Sequence, residues 1–221
     1  PTPDLYPLSL HDALPISHQL MHYNKKSPGP QIGNSPWLQE GLAEYFGGYY
    51  TRVVPGSDPP TYEYRNGKFQ KDRYEFIVGA ARRSVEAGKV VPGILPLKDL
   101  MHLGYDKFRE FQWGRERNVG VVLLVYAQGW AFIHFCKNYI KDGKKGYYRE
   151  KFESYLKAEI EGITDGDRFA QIFGLKSDRD WENLQWEFFR YLLDSDTGMR
   201  KYMYESDGRA PGFWPEEDEM G

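Results

Sequence analysis

The sequence predicts a mainly α-helical fold with one small β-hairpin, and three observations carry that expectation. Apolar residues recur at helical spacing in the second half, as with Trp181, Leu184, Phe188 and Leu192 in DRDWENLQWEFFRYLLD. Helix-start and helix-stop residues bracket the apolar runs: Ser35 then Pro36 at one start, Gly88 at one end. Alternating segments stand out in TYEYRNGKFQKDRYEF, on either side of Asn66-Gly67, a dipeptide that readily takes the positive φ angles of a tight turn.

Residues 1–17, PTPDLYPLSLHDALPIS, have neither a basic segment leading into an apolar core nor a helical period, so they do not read as a signal peptide. LSLHDALPI resembles one reading frame of a common sequencing-adapter oligonucleotide. The expectation is that residues 1–17 are adapter read-through and that the native domain occupies residues 18–200. SHQLMHYN reads as the end of a helix and KKSPGPQIGNS as the loop after it. The helix opened by Pro36 is expected to run through Glu40 and Tyr45 toward Tyr50. After the hairpin, FIVGAARRSVEAG reads as a helix ended by Gly88, and VVPGILPLKDLMHLGYDKFREF as a loop with a short helix. Asn118 to Lys141 reads as one long apolar-faced helix. KKGYYREKFESYLKAEIEG follows as an amphipathic helix, the lysines of KDGKKGYYREK marking its solvated start. DGDRFAQIFG and DRDWENLQWEFFRYLLD complete the helices, and residues 201–221 read as an acidic tail.

Composition narrows the function classes. A chain of 221 residues, 40% hydrophobic and 28% charged, suits one globular domain. A net charge of -3 and a pI near 6.0 give no electrostatic reason to expect nucleic acid as a partner. No run approaches the ~20 apolar residues of a membrane span, so VGVVLLVYA reads as part of a buried helix. The single cysteine, Cys136, excludes an internal disulfide and a cysteine-based zinc cluster, and reads as a small core residue.

PWLQEGLAEYF raises the question of chemistry. Glu40 and Glu44 fall one helical turn apart on the same face. A solvated face would accommodate both. The neighbouring Trp37, Leu38, Tyr45 and Phe46 argue for burial instead, and a buried unpaired carboxylate is expensive. A metal would resolve the expense. Catalytic zinc commonly takes three protein ligands, two of them histidines of an H-E-x-x-H helix whose glutamate serves as general base. The candidates are His18 and Glu40 as ligands, on helices joined by enough chain to turn and return antiparallel. Glu44 is placed to accept the second N–H of a ligating histidine. His22, four residues after His18, is a weaker candidate ligand, because Gln19 stands between them where a base is needed. His102 and His134 read as core or surface histidines, although His134, two turns beyond Tyr126, could also touch a substrate.

The motifs carry a family resemblance. HQL followed by P-W-L-Q-E-G-L-A-E-Y-F resembles the gluzincin branch of zinc metallopeptidases, most of all the bacterial peptidase-MA-like family DUF1570. YAQGWAFIHFC, from Tyr126 to Cys136, and FGLKSDRDWENLQWEFFRYL are similar to two later segments of that family. The resemblance implies the helical C-terminal part of a thermolysin-like (gluzincin) catalytic domain, with zinc as cofactor and a peptide or protein as substrate. It implies His18 as the second histidine of H-E-x-x-H, Glu40 as the third ligand, and Glu44 as the acid behind the ligands. Tyr126 would be the hydroxyl that steadies the oxyanion. The chain departs from the pattern at Leu14 and Pro15, where the first histidine and the general base belong, so the chain as written is expected to be inactive. The expected function is a fragment of a zinc-dependent peptidase that hydrolyses peptide bonds with metal-activated water. The alternative is a non-catalytic, peptidase-like module that binds peptide or glycan through Trp37, Tyr49, Tyr50 and Tyr62. A site-free helical scaffold would leave Glu40 and Glu44 unexplained. Nothing in these residues sets oligomeric state or compartment.

Overall fold

Ser35 and Pro36 open a helix as their order predicts, since the Ser35 carbonyl accepts the backbone N–H groups of Leu38 and Gln39. The structure, a computed structural model, describes residues 35–47, 50–53, 62–65, 70–162, 164–195 and 197–200. Residues 1–34 and 201–221 lie outside them, and with them the expected adapter segment, the helix end at SHQLMHYN and the acidic tail. The first helix, α1, spans Pro36–Gly47. It stops short of Tyr50, which instead opens strand β1 (Tyr50–Val53). Strand β2 (Tyr62–Arg65) pairs with it antiparallel, Tyr50 opposite Arg65 and Val53 opposite Tyr62.

Asn66-Gly67 itself lies outside the described residues, but the expected pairing of the segments on either side of it is corrected. YEYR pairs backwards with β1, while KDRYEF begins helix α2 (Lys71–Ala87). The physical reason is burial at helical spacing. Tyr74, Ile77, Ala80, Ala81 and Ser84 are buried on one face of α2, and the short alternation of KFQKDRYEF cannot compete with that. Gly88 ends α2 in the left-handed conformation, φ 64, as its position predicts.

The stretch expected to hold one short helix holds two, α3 (Leu97–His102) and α4 (Tyr105–Trp113). Helix α5 (Val119–Asn138) starts at Asn118, whose side chain accepts the N–H of Val121. It stops before Lys141. Ile140–Lys141 (β3) and Lys144–Lys145 (β4) form a minimal ribbon across Asp142 and Gly143, at φ 52 and φ 76. KDGKKG is thus a tight turn rather than a solvated helix start, because Asp-Gly accepts the two positive φ angles that such a turn requires. The chain continues through α6 (Arg149–Ile160), α7 (Gly166–Phe173) and α8 (Asp178–Leu193). Asp165 caps α7, and a reciprocal Ser177–Asp180 box caps α8. The described residues are thus mainly helical, with two short antiparallel ribbons.

Helix α5 is the spine. By length and composition it could cross a bilayer, yet most of it is buried inside this protein, against α1, α2, α4, α6 and α8. Trp130, Phe132, Ile133, Phe135 and Cys136 are all fully enclosed. Around them, Trp37 stacks on Tyr155 with ring centroids 5.8 Å apart and meets Phe132 and Phe169 edge-on. Each such side chain contributes about 1.5–3 kcal/mol by leaving water. Helices α1 and α5 approach closely because both carry glycine at the crossing. A Cβ on Gly41 would lie 2.5 Å from the carbonyl carbon of Gly129, and one on Gly129 would strike the carbonyl oxygen of Trp37.

The N-terminal end of α1 is fastened from a distance. The buried carboxylate of Glu159, on α6, accepts the Ser35 backbone N–H at 2.9 Å and the Gln39 amide at 3.4 Å. Thr164 donates to the same carboxylate, and the Ser35 hydroxyl meets the Tyr155 hydroxyl at 2.6 Å. An anion at the first turn of a helix also complements the helix dipole.

Candidate metal site

Two carboxylates on α1 and a phenol on α5 form the site. Glu40 is only 3% exposed and Glu44 is wholly enclosed, so neither belongs to a solvated face. The glycine contact between α1 and α5 lies beside Glu40 and one turn past Tyr126. That closeness brings the half-buried Tyr126 hydroxyl beside the Glu40 carboxylate, to which it can donate. Burial pushes the Glu40 carboxyl up to about 7 from its ordinary 4.5; the Tyr126 hydrogen bond works against this rise and the nearby Glu44 charge adds to it. Burial likewise raises the Tyr126 phenol, with the Glu40 and Glu44 charges adding to the effect, so it stays protonated and remains a donor.

Glu44 has a cation of its own. One guanidinium nitrogen of Arg73, on α2, reaches Glu44 Oε1 at 2.6 Å. The side-chain amide of Gln70, at the head of the same helix, donates to the Glu44 backbone carbonyl. The Arg73 guanidinium also lies over the Tyr126 ring, 5.8 Å from its centroid. The second carboxylate oxygens tell a different story. Oε2 of Glu40 and Oε2 of Glu44 are buried and accept no hydrogen bond among the described residues. Leaving a buried acceptor unmatched costs about 1–3 kcal/mol, more for a charged group, so both atoms suit a cation or a strong donor.

Chemically, these oxygens fit one part of a zinc ligand set, which mixes carboxylate and imidazole donors. The described residues hold no group of three or more His, Cys, Asp or Glu placed to bind a metal. The other expected ligands, His18 and the weaker His22, lie outside the described residues. The structure therefore brings Glu40, Glu44 and Tyr126 together and adds Arg73 and Gln70, which sequence reasoning missed. Arg73 lay within a segment read as strand, so its reach toward α1 was hidden. One signal was present all the same: a cation in the first turn of a helix opposes the helix dipole and needs a partner elsewhere.

Other candidates are relocated. Trp37 is 0% exposed in the aromatic core and cannot offer a binding surface. Tyr50 and Tyr62 lie in the β1–β2 ribbon, and Tyr49 is outside the described residues. His134 is buried, its Nδ1 at 2.5 Å from the Tyr191 hydroxyl. Burial pushes its imidazole down to about 3, and the positive charge of Lys137 adds to the shift. His102 sits at the surface with Nδ1 against the Lys98 carbonyl at 2.7 Å, and Cys136 is a core residue. Comparison of the chain with protein-family models, with curated proteins and with solved structures gave no match in any of the three.

Proposed function

We propose that this chain is part of a zinc-dependent metallopeptidase domain in which Glu40 ligates the metal and Glu44 and Tyr126 hold the ligand set in place. The observation that carries this reading is the pair of buried carboxylate oxygens, Oε2 of Glu40 and of Glu44, with no hydrogen-bond partner among the described residues. Arg73 answers only one oxygen of Glu44, and two buried acids one turn apart remain costly while Oε2 of each lacks a cation or donor. His18, with His22 as the lesser choice, is the proposed source of imidazole ligands. Zinc, when bound, would supply Lewis acidity toward water and the peptide carbonyl.

The chain's own residues supply the rest. Glu40 accepts the Tyr126 proton donor on one side and offers its free oxygen on the other. The phenol, kept protonated by burial and by the two acids, has one O–H, which can turn from Glu40 to a peptide carbonyl oxygen as negative charge grows there. Both acids are buried, Glu40 3% exposed and Glu44 wholly enclosed, so little water reaches them. The test is metal content. The chain with the missing ligand and base restored, Leu14→His/Pro15→Glu, is equilibrated with zinc, stripped of excess by gel filtration and analysed by mass spectrometry. Stoichiometric zinc, lost in Glu40→Gln, is the expected result. A zinc-free chain, or a Glu40→Gln variant with unchanged zinc, overturns the reading.

A further inference from the structure

Helix α2 takes hold of Glu44 twice within its first turn. Gln70 grips the backbone carbonyl and Arg73 grips the carboxylate, so both ends of the residue are fixed by one neighbouring helix. Arg73 is 25% exposed, whereas the carboxylate it meets is fully buried, so its cationic head reaches inward from the rim. The same head covers the Tyr126 ring, whose hydroxyl in turn donates to Glu40. Three helices are thereby linked through one side chain: α1 by an ion pair, α5 by a cation–π contact, and α2 by its own backbone.

We propose that Arg73 is a positioning residue of this site, coupling Glu44 to Tyr126 so that the phenol and both carboxylates keep one arrangement around Glu40. Arginine suits the task where lysine would not. The edge of a planar guanidinium can donate to a carboxylate while its face lies on an aromatic ring. An ammonium is a compact point charge that satisfies one of the two contacts at a time. Arg73 also stands where a positive charge opposes the dipole of its own helix, so its place is explained by what it reaches rather than by α2. Partners behind metal ligands commonly change affinity by about 10–100-fold when removed, and that range sets the expected effect. The inference rests on Glu40 as a metal ligand for its functional meaning, while the coupling itself can be read without metal.

The experiment separates the two. The full chain is labelled with 3-fluorotyrosine, and the Tyr126 fluorine resonance is assigned by its absence in Tyr126→Phe. Arg73→Met and Glu44→Gln should each move that resonance, the double variant should move it no further than the larger single effect, and Arg73→Lys should recover part of the shift. In parallel, Co2+ is titrated into each variant, made in the Leu14→His/Pro15→Glu chain that restores the missing ligand and base, and followed by its visible absorption. Arg73→Met should weaken Co2+ binding by about tenfold or more and alter the band shape, with Arg73→Lys intermediate. A Tyr126 resonance unmoved by both Arg73→Met and Glu44→Gln overturns the coupling, whatever happens to the metal. A resonance that moves in these variants, together with a Leu14→His/Pro15→Glu chain that takes up no Co2+, leaves the coupling standing and overturns the zinc reading instead. Should Arg73→Met fail to fold, Arg73→Lys and Glu44→Gln carry the same two readouts.

Discussion

Replacing Gly41 with alanine tests the crossing on which the site depends. The added methyl would lie 2.5 Å from the Gly129 carbonyl carbon, 2.8 Å from its oxygen and 2.9 Å from its Cα. All three are backbone atoms, so no side chain can swing away to make room. Carbon atoms settle at about 3.5–4.0 Å from one another, so α1 and α5 must part by about 1 Å. Overpacking of this kind costs about 1–3 kcal/mol. The better helix propensity of alanine returns at most about 1 kcal/mol, and the net expected loss is about 1–2 kcal/mol. For a domain of this size that corresponds to a fall in Tm of about 2–8 °C, read by circular dichroism during heating. The retreat of α5 also draws Tyr126 off Glu40, so in the Leu14→His/Pro15→Glu chain zinc content should fall with stability. Gly79→Ala, on α2, is the internal control. Its nearest heavy atom is an Arg83 guanidinium nitrogen at 3.6 Å, and without a backbone clash the variant should gain about 0.5–1 kcal/mol. A Gly41→Ala chain that melts at or above wild type would refute the reasoning, because helix propensity would then outweigh the contact.

Three further outcomes follow from the buried polar groups. His134 is held at about 3 in the folded chain against 6.5 unfolded, so the unfolded chain binds the extra proton between those values. Stability should therefore drop as pH falls from 6.5 toward 3, by up to about 4 kcal/mol; urea midpoints of His134→Gln should show a shallower decline, and equal slopes would sink the idea. Glu40 has the opposite sign: its folded value of about 7 exceeds 4.5, so burying it weakens the metal-free fold as pH rises from 4.5 to 7. Glu40→Gln should then be more stable than wild type at pH 8 by up to about 3 kcal/mol and equal to it near pH 4, a pattern that a lower urea midpoint at pH 8 would contradict. Glu159→Ala orphans the Ser35 N–H and the partners around it, and should cost about 2–4 kcal/mol in urea unfolding, against which an unchanged midpoint would count decisively.

Local signals in the sequence located most helix boundaries, because they act within a few residues. Pro36 begins α1, Gly88 ends α2, Asn118 begins α5 and Asp165 begins α7, each through a hydrogen bond or a backbone angle that neighbouring residues determine. The burial of Glu40 and Glu44 was also legible, since the aromatic and aliphatic residues around them in PWLQEGLAEYF face the core. Two turn dipeptides were weighed against their surroundings and misjudged in opposite directions. Asn66-Gly67 suggested a hairpin that α2 forestalls, while Asp142-Gly143, taken for a helix start, forms a real ribbon. A turn dipeptide states what the backbone can do, and the flanking burial decides whether it does so. The contacts from Arg73 to Glu44 and from Glu159 to Ser35 join distant segments, and no local pattern announces such pairs.

The fastening of Ser35 by Glu159 spans 124 residues, and it sets an order in time as well as in space. Helix α1 leaves the ribosome before the helices that receive it: α5 supplies its packing surface, and α6 supplies the carboxylate that holds its first turn. At about 5–20 residues per second, the interval before Glu159 emerges is about 6–25 s. Until α5 emerges, Trp37 and Leu38 lack their packing surface and Glu40 and Glu44 stay hydrated and apart from Tyr126; until Glu159 emerges, the first turn of α1 lacks its fastening. The helix bearing the site's carboxylates is thus made before the helices that receive it, and until they emerge its apolar face depends on protection from aggregation.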